Sequence, residues 1–129
     1  MVFDPDPLSS NQVPYGGGYS DNNDANSPQL EASLFSVTLN DIELDNGVYT
    51  LRGPYAEIVD FESPPSGLFQ QDSAIFNYNR FDQAFEPVNT YYHLDYLMRY
   101  INLTLECDIM PYQYPVSYTH LTLPTIYSV

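Results

Sequence analysis

The segment Asn89-Thr90-Tyr91-Tyr92-His93-Leu94-Asp95 holds the densest set of groups able to do chemistry. An imidazole close to a carboxylate is the raw material of general acid–base catalysis, and His93 and Asp95 supply both. On a helix, Asn89 and His93 stand one turn apart, and so do Tyr91 and Asp95. The same spacing fits a histidine held by a neighbouring carboxylate or carbonyl on a packed helix, and that plainer reading is favoured. A zinc site needs several imidazole or thiolate ligands, and one histidine in this region does not provide them. The aromatic stripe beside it reads as core rather than as a cofactor box.

Oxygen-rich positions form a second set. Asp4 and Asp6, then Asp21-Asn22-Asn23-Asp24, offer the hard ligands that calcium prefers, in loops able to fold around an ion. No loop has the spacing of an EF-hand, and solvated turn residues are the favoured reading. Cys107 is the single cysteine, which excludes an internal disulfide. With no basic neighbour to lower its pKa, it reads as a small packed residue rather than a nucleophile. Asn102-Leu103-Thr104 spells a glycosylation sequon but falls inside an expected helix. No phosphate loop, Ser-His-Asp spacing or His-Glu-x-x-His occurs. No catalytic, cofactor-binding or metal residue is therefore assigned within the chain.

The elements that must position these residues divide the chain into stretches. Residues 1–29 read as a loop-rich lead-in, where Pro5, Pro7, Pro14 and Pro28 block ladder hydrogen bonds and Gly16-Gly17-Gly18 is permissive. Residues 30–62 read as strands. Phe35, Val37 and Leu39 alternate with Leu34, Ser36 and Thr38 up to a turn at Asn40-Asp41. Asp45-Asn46-Gly47 has the residues of a tight hairpin turn, followed by a strand Val48–Leu51. Beyond Gly53-Pro54 comes a third strand, Tyr55–Phe61, and the set reads as an antiparallel meander. Ser63-Pro64-Pro65-Ser66-Gly67 opens an irregular connection over 63–81.

Residues 82–106 then switch to a helical period, with Phe85, Val88, Tyr91 or Tyr92, Leu94, Leu97, Met98, Ile101 and Leu105 at three- and four-residue steps. Asp82 is the expected N-cap, Pro87 is tolerable only in the first turn, and Met110-Pro111 marks a stop. Residues 107–115 begin a continuation. The expected class is α+β: a small, mostly antiparallel sheet followed by one long amphipathic helix, forming an incomplete lobe of a larger domain.

The last stretch, 116–129, departs in composition, holding no Asp, Glu, Lys or Arg. Val116 to Thr125 back-translates without strain to GTC TCT TAT ACA CAT CTG ACG CTG CCG ACG. That string resembles a transposase mosaic end running into a sequencing adapter in one frame, and a CCT codon for Pro115 fits its opening bases. The alternative is a true terminal strand, because Val116 with Tyr118 and the Thr/Leu alternation around Leu121 and Leu123 also pass as a period of two. On the adapter reading His120 carries no functional weight, residues 1–115 belong to a longer protein, and Met1 is an internal methionine.

Composition bounds the partners. The 129 residues, room for about one domain, carry seventeen acidic side chains against three arginines and no lysine, a formal charge of −14. Binding phosphates requires a cationic surface, so nucleic acid is excluded as a partner, and anionic membrane surfaces with it. No apolar run approaches the roughly 20 residues of a membrane span. Thirteen tyrosines and seven phenylalanines argue against disorder despite the charge, since they demand burial.

Two stretches resemble one family. Phe85-Glu86-Pro87-Val88-Asn89-Thr90-Tyr91-Tyr92-His93-Leu94-Asp95, followed by Arg99-Tyr100-Ile101, resembles a helix of large secreted bacterial metallopeptidases similar to the thermolysin and fungalysin groups. Val2-Phe3-Asp4-Pro5-Asp6-Pro7-Leu8, with Tyr15-Gly16-Gly17 and Asp21–Asp24, resembles the segment upstream of that helix. The resemblance implies a secreted, extracellular zinc endopeptidase whose His-Glu-x-x-His helix and later Glu would follow residue 115. It makes residues 31–62 sheet of the N-terminal lobe, residues 82–105 a bracing helix and His93 a scaffold residue. The chain itself would be a non-catalytic N-terminal fragment, partnered by the remainder of its own catalytic domain. Zinc, with calcium as a second ion, and a protein or peptide substrate would belong to the full-length parent alone. The alternative class is an extracellular β-rich binding or adhesion module stabilised by calcium.

Overall fold

The computed structural model describes residues 1–59 and 69–107, together with the backbone of 116–119 and 125–128. The architecture is α+β, with three antiparallel two-stranded pairs and one long helix among the described residues. The expected end of the third strand at Phe61, the break at Ser63–Gly67, the stop at Met110-Pro111 and His120 all lie outside the described residues.

The lead-in holds more order than its prolines implied. Val2–Phe3 is a strand, β1, and Pro7–Asn11 is a short helix, α1. Asp6 caps α1, its Oδ1 accepting from Leu8 N and Ser9 N, each at 2.9 Å, with Pro7 in the first turn. Ser27 and Pro28 repeat the device at α2, Pro28–Ala32, where Ser27 Oγ accepts from Leu30 N at 3.1 Å. A proline that cannot donate to a strand ladder is pre-set for the first helical position, where no donor is needed. The same residues thus open helices where strand logic alone would see only interruption.

The sheet is shorter and less local than a meander. The strand expected at Leu34–Leu39 is confined to Leu34–Phe35, β2, and it pairs with β1 rather than with the chain that follows. Val37 and Leu39 still turn inward against the core. Leu44–Asp45 (β3) and Val48–Tyr49 (β4) form the hairpin around Asn46-Gly47, whose φ values of 51° and 79° are those a tight turn requires. Leu51 O accepts from Ile58 N and Gly53 N donates to Ala56 O, so a reversal at 53–56 folds the chain back, but in its described part the expected third strand is reduced to a single bridge between Arg52 and Glu57. Gln71 closes the hairpin's other edge through paired backbone bonds with Tyr49.

The long helix, α3, runs Phe85–Arg99 and widens into a π turn over Tyr100–Thr104. It starts later than expected. Asp82 is not the N-cap: its Oδ2 reaches back to Asn79 N at 3.0 Å, stabilising the turn before the helix, and Ala84 occupies the cap position. A carboxylate can serve either turn, and here the tighter local one prevails. Pro87 lies in the first turn, as its missing donor demands. At the far end Glu106 takes a left-handed φ of 55° and Cys107 N donates to Ile101 O, which closes the helix ahead of any proline.

Two apolar clusters meet on α3. Val2, Leu51, Ala56, Ile58, Val88 and Tyr91 form the larger, with Val37, Leu39, Phe69 and Phe76 packed around it. Phe3, Leu30 and Phe85 form the smaller, Phe3 and Phe85 meeting edge to face at 4.9 Å between centroids. The backbone of 116–119 pairs antiparallel with that of 125–128. No helix among the described residues is long and apolar enough to cross a membrane.

Candidate functional site

Helix α3 presents polar groups to three neighbours, and each cluster has a different chemistry. The first is a clamp on β1. Asn89 Oδ1 accepts from Phe3 N at 2.9 Å, and one turn later His93 Nε2 donates to Phe3 O at 2.6 Å. A carbonyl can only accept, so Nε2 carries the proton in this bond. Together the two side chains satisfy both backbone groups of a strand residue that has no further strand on that side among the described residues. This is the one-turn spacing of Asn89 and His93 put to structural use.

The second cluster gathers around Arg80. Its Nη1 donates to Asp24 Oδ1 at 2.6 Å and its Nη2 to Asp21 Oδ1 at 2.5 Å, with Glu86 Oε1 at 3.8 Å. Two carboxylates of the Asp21–Asp24 loop are thereby spent on a guanidinium. The loop's left-handed residues Asn22, Asn23 and Asp24 shape it around that side chain. Asp6 is engaged at its helix cap, and its backbone bond from Ser9 holds the carboxyl below the ordinary range. Among the described residues no group of three or more His, Cys, Asp or Glu is disposed to hold a metal ion.

The third cluster joins α3 to the loop before the hairpin. Arg99 Nε donates to Asp95 Oδ2 at 2.8 Å, while its Nη2 donates to Asn40 O at 2.9 Å and Asp41 Oδ2 at 3.1 Å. The guanidinium lies 4.9 Å from the Tyr55 ring centroid, a cation–π distance. Asp95 is only 5% exposed, and burial pushes its carboxyl above the ordinary range although Arg99 pulls the other way. Tyr91 is wholly buried, and burial with the nearby Asp95 charge raises its phenol far above the usual value.

His93 and Asp95 therefore do not form an acid–base pair: the imidazole is committed to Phe3 and the carboxylate to Arg99. Cys107 is exposed rather than packed, a correction to its expected place, because the helix ends before covering it. Asn102 donates to Met98 O at 2.8 Å, as an amide on a helix readily does. A groove of about 600 Å³ opens between Val37, Leu39 and Ile42 on one side and Ile75 and Phe76 on the other. Its lining carries Ser36, Thr38 and Asn77 and the Met1 amino group, which donates to Phe76 O at 3.1 Å and whose pKa burial lowers.

The arginine clusters were the functional residues least visible beforehand. Their signal was scarcity: in a chain with three cations among seventeen acids, each half-buried arginine draws more than one carboxylate. The i, i+4 spacing of Asp95 and Arg99 was the local trace. Comparison of the chain with protein-family models, curated proteins and solved structures finds no match.

Proposed function

We propose that this chain is a non-catalytic supporting portion of a secreted zinc metalloendopeptidase-like protein, whose remaining sequence supplies the catalytic residues. The observation that carries the reading is the second half of α3. Leu97, Tyr100, Leu103 and Leu105 are all more than two-fifths exposed on a helix whose first half is core. An apolar strip of this kind on an amphipathic helix marks a surface that packs against more protein. The resemblance of residues 85–101 to a metallopeptidase bracing helix supplies the identity of that protein. His93 clamps a strand, in keeping with the scaffold role the resemblance implies for it. In this reading the parent is exported, holds zinc and cleaves peptide bonds, while the portion described here shapes the lobe behind its cleft.

The test is to recover the source DNA with primers inside residues 1–110 and read past codon 115. A frame continuing into His-Glu-x-x-His with a later Glu supports the proposal. A frame continuing without that motif overturns it in favour of a binding module. Genomic codons for Val116–Val129 at that locus would overturn the adapter reading of the final stretch.

A further inference from the structure

The groove between Val37–Leu39 and Ile75–Phe76 is walled by unused backbone on one side. Residues 36–39 run on from β2 without a ladder partner, and the N–H and C=O groups of Val37 and Leu39 hydrogen-bond to none of the described residues. An open edge of this kind is a template for a further strand. Which strand fits is set by β1, whose register pairs Val2 with Phe35 and Phe3 with Leu34. Counted on upstream, Met1 falls opposite Ser36 and the residue before it opposite Val37. The third residue upstream of Met1 falls opposite Leu39.

The direction of the backbone groups agrees with this count. Asn89 and His93 hold Phe3 N and O, so those groups face away from β2. Backbone direction alternates along an antiparallel strand, so the groups of Val2 face β2 and those of Met1 face away from it. Met1 N accordingly donates to Phe76 O on the opposite wall, at 3.1 Å. Burial pulls the pKa of this amino group down, whereas an amide N–H would make the same bond with no charge to shelter.

We propose that the groove is the berth of the residues preceding Met1 in the parent protein, which continue β1 as an extended strand antiparallel to Val37–Leu39. The inference rests on the reading of this chain as a portion of a longer protein and is independent of the parent's activity. In this register the first and third upstream residues exchange backbone bonds with Val37 and Leu39. Residues directly opposite one another point to the same face, and Val37 and Leu39 pack against the core cluster that holds Val2. No charged side chain lines the groove. The two upstream positions therefore take apolar, strand-forming side chains.

The test adds Thr-Val-Thr-Val ahead of Met1 in the full 129-residue chain. A companion protein carries Thr-Pro-Thr-Pro instead, whose prolines have no N–H to give the ladder. Amide exchange is followed by NMR in both and in the unextended chain. Strand addition slows exchange at Val37 and Leu39 by about tenfold or more in the valine extension alone. Thr38, whose N–H faces the other way, keeps its rate. Equal rates at Val37 and Leu39 in all three proteins would overturn the proposal. Equal slowing in the proline extension, or at Thr38, would do the same, since neither follows from the register. The source DNA upstream of codon 1 then shows whose strand it is. An open frame with apolar residues at the first and third upstream positions supports the proposal. A stop codon directly upstream, or polar residues at both positions, defeats it and leaves the groove to a strand from another chain. None of these outcomes depends on the frame beyond codon 115, so failure here and failure of the metallopeptidase reading are separately visible.

Discussion

The two halves of α3 have similar apolar content and opposite fates. From Phe85 to Tyr91 the apolar positions are buried against β1 and the 51–58 reversal, and the polar ones clamp Phe3. From Tyr96 to Leu105 apolar side chains of the same size stand in solvent. Periodicity alone cannot separate these halves, since it reports a face and says nothing of what covers it. What distinguishes them is how far the apolar side chains are covered: β1 and the 51–58 reversal bury those of the first half, whereas Leu97, Tyr100, Leu103 and Leu105 stay exposed.

Mutations that exploit this contrast should fall in a clear order. Phe85→Ala removes a ring that is 3% exposed and stacked edge to face on Phe3, and should cost about 3–5 kcal/mol in urea unfolding. Leu97→Ala, in the other half at 51% exposure, should change stability by less than about 0.5 kcal/mol in the same experiment. Comparable losses at the two positions would erase the distinction. Gly53→Ala forces a methyl group onto Tyr91 Oη and should cost about 1–3 kcal/mol, because the close-packed site must shift to admit it. Asn89→Ala strands the Phe3 N–H and should cost about 1–3 kcal/mol, with faster amide exchange at Phe3 as its local signature. Smallest in stability but clearest in behaviour, Leu97→Ser with Leu103→Ser should leave the melt almost unchanged while lowering the binding of an apolar dye. Undiminished dye binding would locate the sticky surface elsewhere, with the groove beside Ile75 the next place to look.

Acid titration sharpens the same comparison. Asp6 at its helix cap has its pKa lowered by hydrogen bonds, so its contribution is present above the ordinary carboxylate range and is lost as pH falls through the folded value. Asp95 does the opposite. Asp6→Ala should therefore destabilise the fold at neutral pH and flatten the loss seen in strong acid, whereas Asp95→Asn flattens the gain seen in weak acid.

The elements that could be read in the chain were the local ones. Asn46-Gly47 declared its hairpin through backbone chemistry, and α3 declared itself through spacing, with Pro87 correctly confined to the first turn. The pairing of Val2–Phe3 with Leu34–Phe35 could not be read, because two-residue strands carry no period and their partners are remote. Pro7 and Pro28 were ambiguous for a physical reason: an absent donor excludes a strand interior and favours a helix start with equal force. Asp82 failed as a cap because a second turn competed for its carboxylate. Of the clusters, the Asn89–His93 pair was visible as a spacing, yet its target, the Phe3 backbone 86 and 90 positions earlier in the sequence, was not.

The clamp on Phe3 also sets the order of events during synthesis. Its two bonds join residues 86 and 90 positions apart, so β1 must wait for α3 before it can dock there. Until His93 has emerged, Val2 and Phe3 have no helix to dock on, and the nascent chain carries its core residues unprotected. Closing so long a loop is entropically slow, and slow closure lengthens the window for association with other chains. A chaperone that shields the apolar residues of β1 would therefore raise the folded yield of this protein more than added stability in α3 would.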